Sequence, residues 1–313
     1  SPLTALFGLL LGLTLTPLNA DQGLRFLAIG DIPYGEAERE SVLSFLAQEL
    51  GRDTPFLVHV GDFKAGSAPC TDDAFAAAAD LFRSQPVPVV YTPGDNEWTD
   101  CRRPAAGGYA PKERLALLRE ILFDDPSVLR LRQLEVRVTD PAYPENYRFW
   151  AEGALFATLH LVGSRDNRVV GDPVALAEHD ARAAANSRHL RAVAQEAAIQ
   201  GADAVVLLFH ANAGLERKSA AAAYAPFRTA LLDLLGAFPG PVLLIHGDTH
   251  TYRFDRPLRD PSTGEIVGRL FRLEVPGSPR VGGAWVELAP GDEHHPFRAE
   301  PVYPEALERL TRD

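Results

Sequence analysis

Short apolar runs that stop at Gly-Asp recur along this chain. Leu27-Ala28-Ile29 ends in Gly30-Asp31, and Phe56-Leu57-Val58-His59-Val60 ends in Gly61-Asp62. Val89-Val90-Tyr91-Thr92-Pro93 ends in Gly94-Asp95, and Val242-Leu243-Leu244-Ile245-His246 ends in Gly247-Asp248. Runs of this length, rich in β-branched residues and lacking alternation, predict central strands covered on both faces. Val205-Val206-Leu207-Leu208-Phe209 is a fifth such run, and it ends at His210.

Between the first two runs, Val42, Phe45, Leu46 and Leu50 fall on one helical stripe, which predicts a β-α-β unit. The same periodicity predicts helices over residues 73–83, 111–123 and about 174–199, and another with Phe227, Leu231, Leu234 and Leu235 turned inward. Residues 87–92 read as a third strand, while 134–138, 147–150 and 155–162 turn the middle of the chain antiparallel. Residues 252–288 alternate enough to predict hairpins completing a second sheet. Past Pro290 the Pro- and charge-rich chain has little core character, and His294 and His295 there are read as exposed. The fold class is α/β.

One Gly-Asp after a strand is ordinary, because Asp caps the following turn and Gly relieves the backbone. Four whose strands share one sheet edge would collect four carboxylates in a small volume. At ~5 Å and an effective dielectric of about 20, each like-charge pair costs roughly 3 kcal/mol, so the cluster calls for a cation or for protons. Taken in order, the strand ends offer Asp31, Asp62, Asp95, His210, Asp248 and His250. Carboxylate oxygen mixed with imidazole nitrogen suits Mn, Fe or Zn. Two such ions sharing one carboxylate, for which Asp62 is the natural choice, support phosphoryl chemistry.

With 313 residues, 46% of them hydrophobic, the chain has material for one large α/β domain or two small ones. A net charge of −11 argues against general binding to nucleic acid or anionic membrane. Residues 1–20 carry no charge and read as a secretory signal peptide with a cleavage site after Leu18-Asn19-Ala20. A retained anchor and a buried helix are the alternatives there, and no membrane span is expected in the mature chain. Residues 21–290 then form the catalytic domain and 291–313 a C-terminal tail, in a periplasmic or secreted protein. Cys70 and Cys101, the only cysteines, fit an exported disulfide joining the loops after Asp62 and Asp95, with free thiols or a zinc pair as the alternative.

The order and spacing of these motifs resemble the calcineurin-like metallophosphoesterase superfamily, from about Leu24 to Tyr252. The resemblance implies a four-layer sandwich of two mixed β-sheets flanked by helices. It also implies a first metal on Asp31, Asp62 and His250, and a second on Asp62, Asp95, His210 and Asp248. Three histidines usual in that family are absent. Asp-x-His reads Asp31-Ile32-Pro33, Asn96 stands where a proton-donating His is common, and Asp248 stands where Gly-His-x-His has its first His. The first site is therefore short of a ligand, so the cofactor is two di- or trivalent ions or one alone. Tyr34 is a candidate replacement ligand, and Lys64 a candidate counter-charge or phosphate contact.

Asn96 cannot supply a proton but can hydrogen-bond a phosphate, and His160 is the candidate proton donor. Arg165 and Arg168, with Arg102 and Arg103, are candidates for gripping phosphate bidentately. His59 and His246 are read as structural. The expected activity is metal-dependent hydrolysis of a small phosphorylated substrate by a metal-bound hydroxide, with no nucleic acid as partner. The alternatives are a protein of the same fold that binds a phosphorylated ligand without turnover, and a purely structural envelope domain.

Overall fold

A computed structural model describes residues 23–51, 53–217, 221–260, 262–289, 291–292 and 294–304. The expected signal peptide lies outside the described residues. Two mixed sheets face each other. The first has strand order β12-β11-β1-β2-β3, built from β1 (Arg25–Ile29), β2 (Leu57–His59), β3 (Val89–Tyr91), β11 (Gly283–Leu288) and β12 (Phe297–Val302). The second runs β4-β5-β6-β7-β8-β10-β9, from β4 (Arg137–Val138), β5 (Tyr147–Ala151), β6 (Ala154–Thr158), β7 (Ala204–Leu208), β8 (Val242–His246), β9 (Arg253–Asp255) and β10 (Leu270–Glu274).

Phe26, Phe56, Phe149, Phe156, Val206, Leu243 and Ile245 fill the space between the sheets. On the outer face of the first sheet lie α1 (Glu36–Glu49), α2 (Asp72–Arg83) and α3 (Pro111–Arg119), with Val42, Phe45, Leu46, Phe75 and Phe82 turned into the core. The second sheet is covered by α4 (Pro173–Gln200) and α5 (Ala225–Ala237) through Leu190, Val193, Phe227 and Leu231. The caps are readable in the sequence: Thr71 accepts from Ala74 N, Asp172 accepts from Val174 N and Ala175 N, and Gly201 takes the left-handed turn after α4. The expected α/β sandwich of two mixed sheets flanked by helices is the observed architecture.

The helix expected over residues 111–123 is present, its last turn, Glu120–Asp124, widened to a π-helix. Three local expectations differ. The strand expected over 134–138 shrinks to β4, because Arg130 and Glu135 take left-handed backbone around a 3₁₀ turn. Of the hairpins expected over residues 252–288, the antiparallel pair β9-β10 forms, but β10 also lies parallel to β8, and β11 crosses over to pair with β1. Beyond Pro290, β12 pairs with β11 along the edge of the first sheet and buries Phe297 at 2% exposure, because one inward side chain suffices for an edge strand.

The carboxyl ends of β1, β2 and β3 meet those of β7 and β8 at one rim. Cys70 and Cys101 are disulfide-bonded, with Cα atoms 5.7 Å apart, and tie together the loops that follow β2 and β3. Among the described residues no helix is long and apolar enough to cross a membrane.

Candidate metal centre

Every Gly-Asp carboxylate reaches the rim, and two clusters form there. Ligand atoms of Asp31, Asp62 and His210 lie within 4.8 Å of one another, as do those of Asp95, His210 and Asp248. His210 Nε2 is 3.0 Å from Asp95 Oδ1 and 3.5 Å from Asp62 Oδ2. His210 Nδ1 donates to the Val60 carbonyl at 2.8 Å, which turns Nε2 toward the carboxylates. His250 is held in the same manner: Nδ1 donates to Ser278 O at 2.6 Å, and Nε2 faces Asp31 Oδ1 at 3.5 Å. It belongs to neither close cluster and its side chain is 30% exposed.

The glycines of the motifs make room for one another's aspartates. A Cβ on Gly94 would lie 2.1 Å from Asp62 Oδ1, and one on Gly247 would lie 2.1 Å from Asp31 Oδ2. Main-chain N–H groups then fix the carboxylates. Asp248 N donates to both oxygens of Asp31 at 3.1 Å, Asn96 N donates to Asp62 Oδ1 at 2.9 Å, and Asn212 N donates to Asp248 Oδ2 at 2.8 Å. Behind them Glu97, fully buried, accepts from Asp62 N at 3.0 Å, Gly94 N at 2.7 Å and Tyr91 OH at 2.7 Å. Glu97 therefore clamps the second motif to the third.

Burial pushes the Asp31 carboxyl up to about 8, with Asp248 and Asp95 adding to the rise. Burial also raises Asp62 well above the carboxylate range, together with Asp95 and Glu97. Asp248 rises for the same first reason. Burial opposes the charged form of His210, yet Asp62, Asp95 and Asp31 hold it well above the ordinary imidazole value. Unless a cation takes their place, protons balance the charge here. Four aspartates and neutral imidazole nitrogen match the charge of two divalent ions, and this donor set suits Mn, Fe or Zn, so the residues present fit such a pair.

The Tyr34 hydroxyl donates to Asp62 Oδ2 at 3.1 Å, accepts from Asn96 Nδ2 at 3.1 Å and lies 3.2 Å from His250 Nε2. Its oxygen stands between the acid of one motif and the histidine of another. Buried Lys64 donates to Asn96 O at 2.8 Å and Ala65 O at 2.9 Å, fixing the Asn96 main chain beside the disulfide.

His160 is fully buried, with Nδ1 2.7 Å from Glu145 Oε1 and its ring edge-on to Trp98 at 5.0 Å, and it belongs to neither cluster. Burial holds its imidazole below the ordinary value despite Glu145. His59 and His246 are buried on main-chain carbonyls, Ile32 O and Gly247 O. Arg165 is exposed and Arg168 half-buried, and among the described residues neither side chain hydrogen-bonds the centre. Arg165 lies within, and Arg168 just after, a left-handed turn, Ser164 to Asn167, with φ of 47°, 60°, 53° and 58°. That turn is pinned by Arg182 to Asp166 at 2.5 Å and by Arg102 to Asn167 at 2.9 Å.

Sequence reasoning missed what the turn delivers. Ser164 Oγ lies 2.6 Å from Asp95 Oδ2 and 2.9 Å from Asp100 Oδ2, and Arg103 Nη2 reaches the same Asp100 oxygen at 2.6 Å. A polar chain therefore runs from the centre to Arg103, whose side chain is 51% exposed at the rim. Spacing gives no signal for Ser164, because it comes from the opposite sheet.

No protein-family model matches the chain, and no curated protein matches it in sequence. Solved structures do match in fold. A dimetal phosphatase from Danio rerio superposes with a TM-score of 0.51 at 15% identity, over 90% of this chain and 94% of that one. PhoD gives 0.51 at 11% identity over 90% and 68% of the two chains. A 5'-nucleotidase from Candida albicans gives 0.50 at 11% identity, over 90% of this chain and 51% of that longer one. The chain thus shares the fold of these structures in a sequence far diverged from theirs.

Proposed function

We propose that the chain is a metal-dependent phosphoester hydrolase of the calcineurin-like superfamily, acting on a small phosphorylated substrate in the periplasm or outside the cell. The observation that carries this reading is the pair of buried acid clusters sharing His210 at the meeting of two sheets. The intramolecular disulfide supports an oxidising compartment.

Asp31, Asp62, His250 and the Tyr34 oxygen would hold a first ion, and Asp62, Asp95, His210 and Asp248 a second. Such ions, when bound, supply Lewis acidity toward a phosphoryl oxygen and lower the pKa of a water. The protein's own part is positioning. Val60 O and Ser278 O keep both histidines turned inward, and Glu97 and Asn96 N hold Asp62 rigid. Asn96 Nδ2 is a donor for a phosphate oxygen. Arg103 is the cation best placed to meet the phosphate from the rim, since its charge is anchored on Asp100, whose side chain is 2% exposed. Neither Asn96 nor the buried His160 is set to hand a proton to the departing oxygen.

The test is turnover of an aryl phosphate with added Mn, together with metal counting. Activity that disappears in Asp62→Asn along with bound metal supports the reading; a wild type that binds metal without turnover refutes it. The missing proton donor favours one rival, a protein that holds a phosphorylated ligand without cleaving it. Saturable binding of inorganic phosphate with no hydrolysis would select that rival.

A further inference from the structure

Beside the centre, the loop after β1, Glu36 and Arg39 of α1 and one face of α2 line a half-open cavity of about 200 Å³. Its lining includes Pro33, Tyr34, Phe63, Lys64, Ala77 and Ala78. Two of these residues belong to both places. Tyr34 puts its hydroxyl on Asp62 and Asn96 while its side chain walls the cavity, and Lys64 bonds Asn96 O while lining it. The alanines of α2 keep the space open, because a larger side chain at their spacing would fill it. A cavity of about 150 Å³ already admits a benzene ring, so this one is large enough for an aromatic group.

A second observation points the same way. Asn96 has no acidic proton to give and His160 is buried against Glu145, so neither of these two side chains is set to protonate the oxygen that leaves phosphorus. The substrates least affected are those whose leaving oxygen is stable as an anion. Aryl esters combine that property with a flat apolar body.

We infer that this cavity is the leaving-group subsite and that the substrates are aryl phosphoesters, the ring packing on Tyr34, Phe63 and Ala77 with its oxygen toward the Lys64 ammonium. The inference rests on the hydrolase reading above. In the step, the oxygen of water bonds to phosphorus. The bond from phosphorus to the aryl oxygen breaks with its electron pair kept on that oxygen, and both protons of the water leave with the phosphate as dihydrogen phosphate. No proton has to reach the phenolate inside the site. Lys64 donates to two carbonyls and carries a third hydrogen, so its charge can face the phenolate without giving up either contact.

The test fills the cavity without touching the centre. Ala77→Leu is made, with Ala74→Leu on the same lining as a second variant, and each is checked by thermal midpoint and metal content. For phenyl phosphate kcat/KM should fall about tenfold or more. For glycerol phosphate it should change by less than about twofold, since a small polar leaving group does not need the ring site. Equal losses on both esters, or no loss on either, overturn the inference. Titration of wild type and variants with phenol alone reads the cavity independently of turnover. If no ester is hydrolysed, the hydrolase reading fails. The subsite then stands only if phenol binds saturably to wild type and that binding is lost in both variants; it falls if phenol does not bind or binds all three alike.

Discussion

Raising the pH of chelated protein should destabilise it between about pH 6.5 and 8, a window set by Asp31. Its carboxyl moves from 3.8 to about 8 on folding, so the folded state holds a proton that the unfolded chain releases. Stability from this group is complete below the unfolded value and is lost as pH climbs through the folded one. Buried His59, His189 and His246, lowered to about 4, about 4 and about 3, act in the opposite direction by roughly 0.4 kcal/mol each across this window, because the unfolded imidazoles are still half protonated at its lower end. Between pH 6.5 and 8 the Asp31 contribution alone amounts to roughly 1.5 to 2 kcal/mol by proton linkage. His210, raised by the same carboxylates, loses stability in the same direction. In a chain of this size the Asp31 loss alone reads as a drop of roughly 3 to 6 °C in Tm. The assay is a thermal scan of wild type and Asp31→Asn with chelator across that window, repeated with Mn. The chelated wild type should show the slope, Asp31→Asn should lose most of it, and Mn should flatten it by taking the place of the protons. A chelated wild-type Tm that stays level or rises, or an unchanged slope in the variant, would refute the reasoning.

Glu97→Gln should lower stability by about 1 to 3 kcal/mol in urea titration, because one end of the amide faces the N–H groups of Asp62 and Gly94 with a donor. Gly94→Ala should weaken metal binding measured by calorimetry, since the added carbon would lie 2.1 Å from Asp62 Oδ1. Reducing Cys70–Cys101 should cost roughly 3 to 4 kcal/mol in denaturant and loosen the Lys64 and Asn96 main-chain contact, visible as faster amide exchange there. Arg103→Gln should raise KM for a phosphoester more than it lowers kcat, provided the metal content is unchanged.

The strands, the covering helices and the four Gly-Asp ends were legible because each is a local pattern: an apolar run, a helical stripe, a glycine before an acid. His210 and His250 were legible as strand-end residues for the same reason. What decides the centre's geometry is cross-element contact, and no spacing reports that. Glu97 reads as one more loop acid until the N–H groups of Asp62 and Gly94 are seen to converge on it. Arg165 reads as a phosphate contact until four consecutive left-handed residues place Ser164, not the arginine, against Asp95. His160 lies near the site in sequence logic, but it answers to Glu145 and Trp98 in the layer behind.

The backbone at the centre explains why strand propensity alone could not have built it. Asp31, Asp62, Asp248 and His250 have φ of 56°, 58°, 82° and 58°, in the left-handed region that costs a non-glycine residue about 1 to 2 kcal/mol. No local preference holds four such residues; contacts between motifs do. Asp248 N reaches Asp31, Asn96 N reaches Asp62, Asp62 N reaches Glu97, and His250 is held on Ser278 O, so each strained residue is fixed by a contact outside its own motif. Carboxylates fixed in this way cannot swing apart to relieve their repulsion. Their charge must be met by protons or by metal, and for that reason pH and metal content should trade against each other in every measurement of this protein's stability.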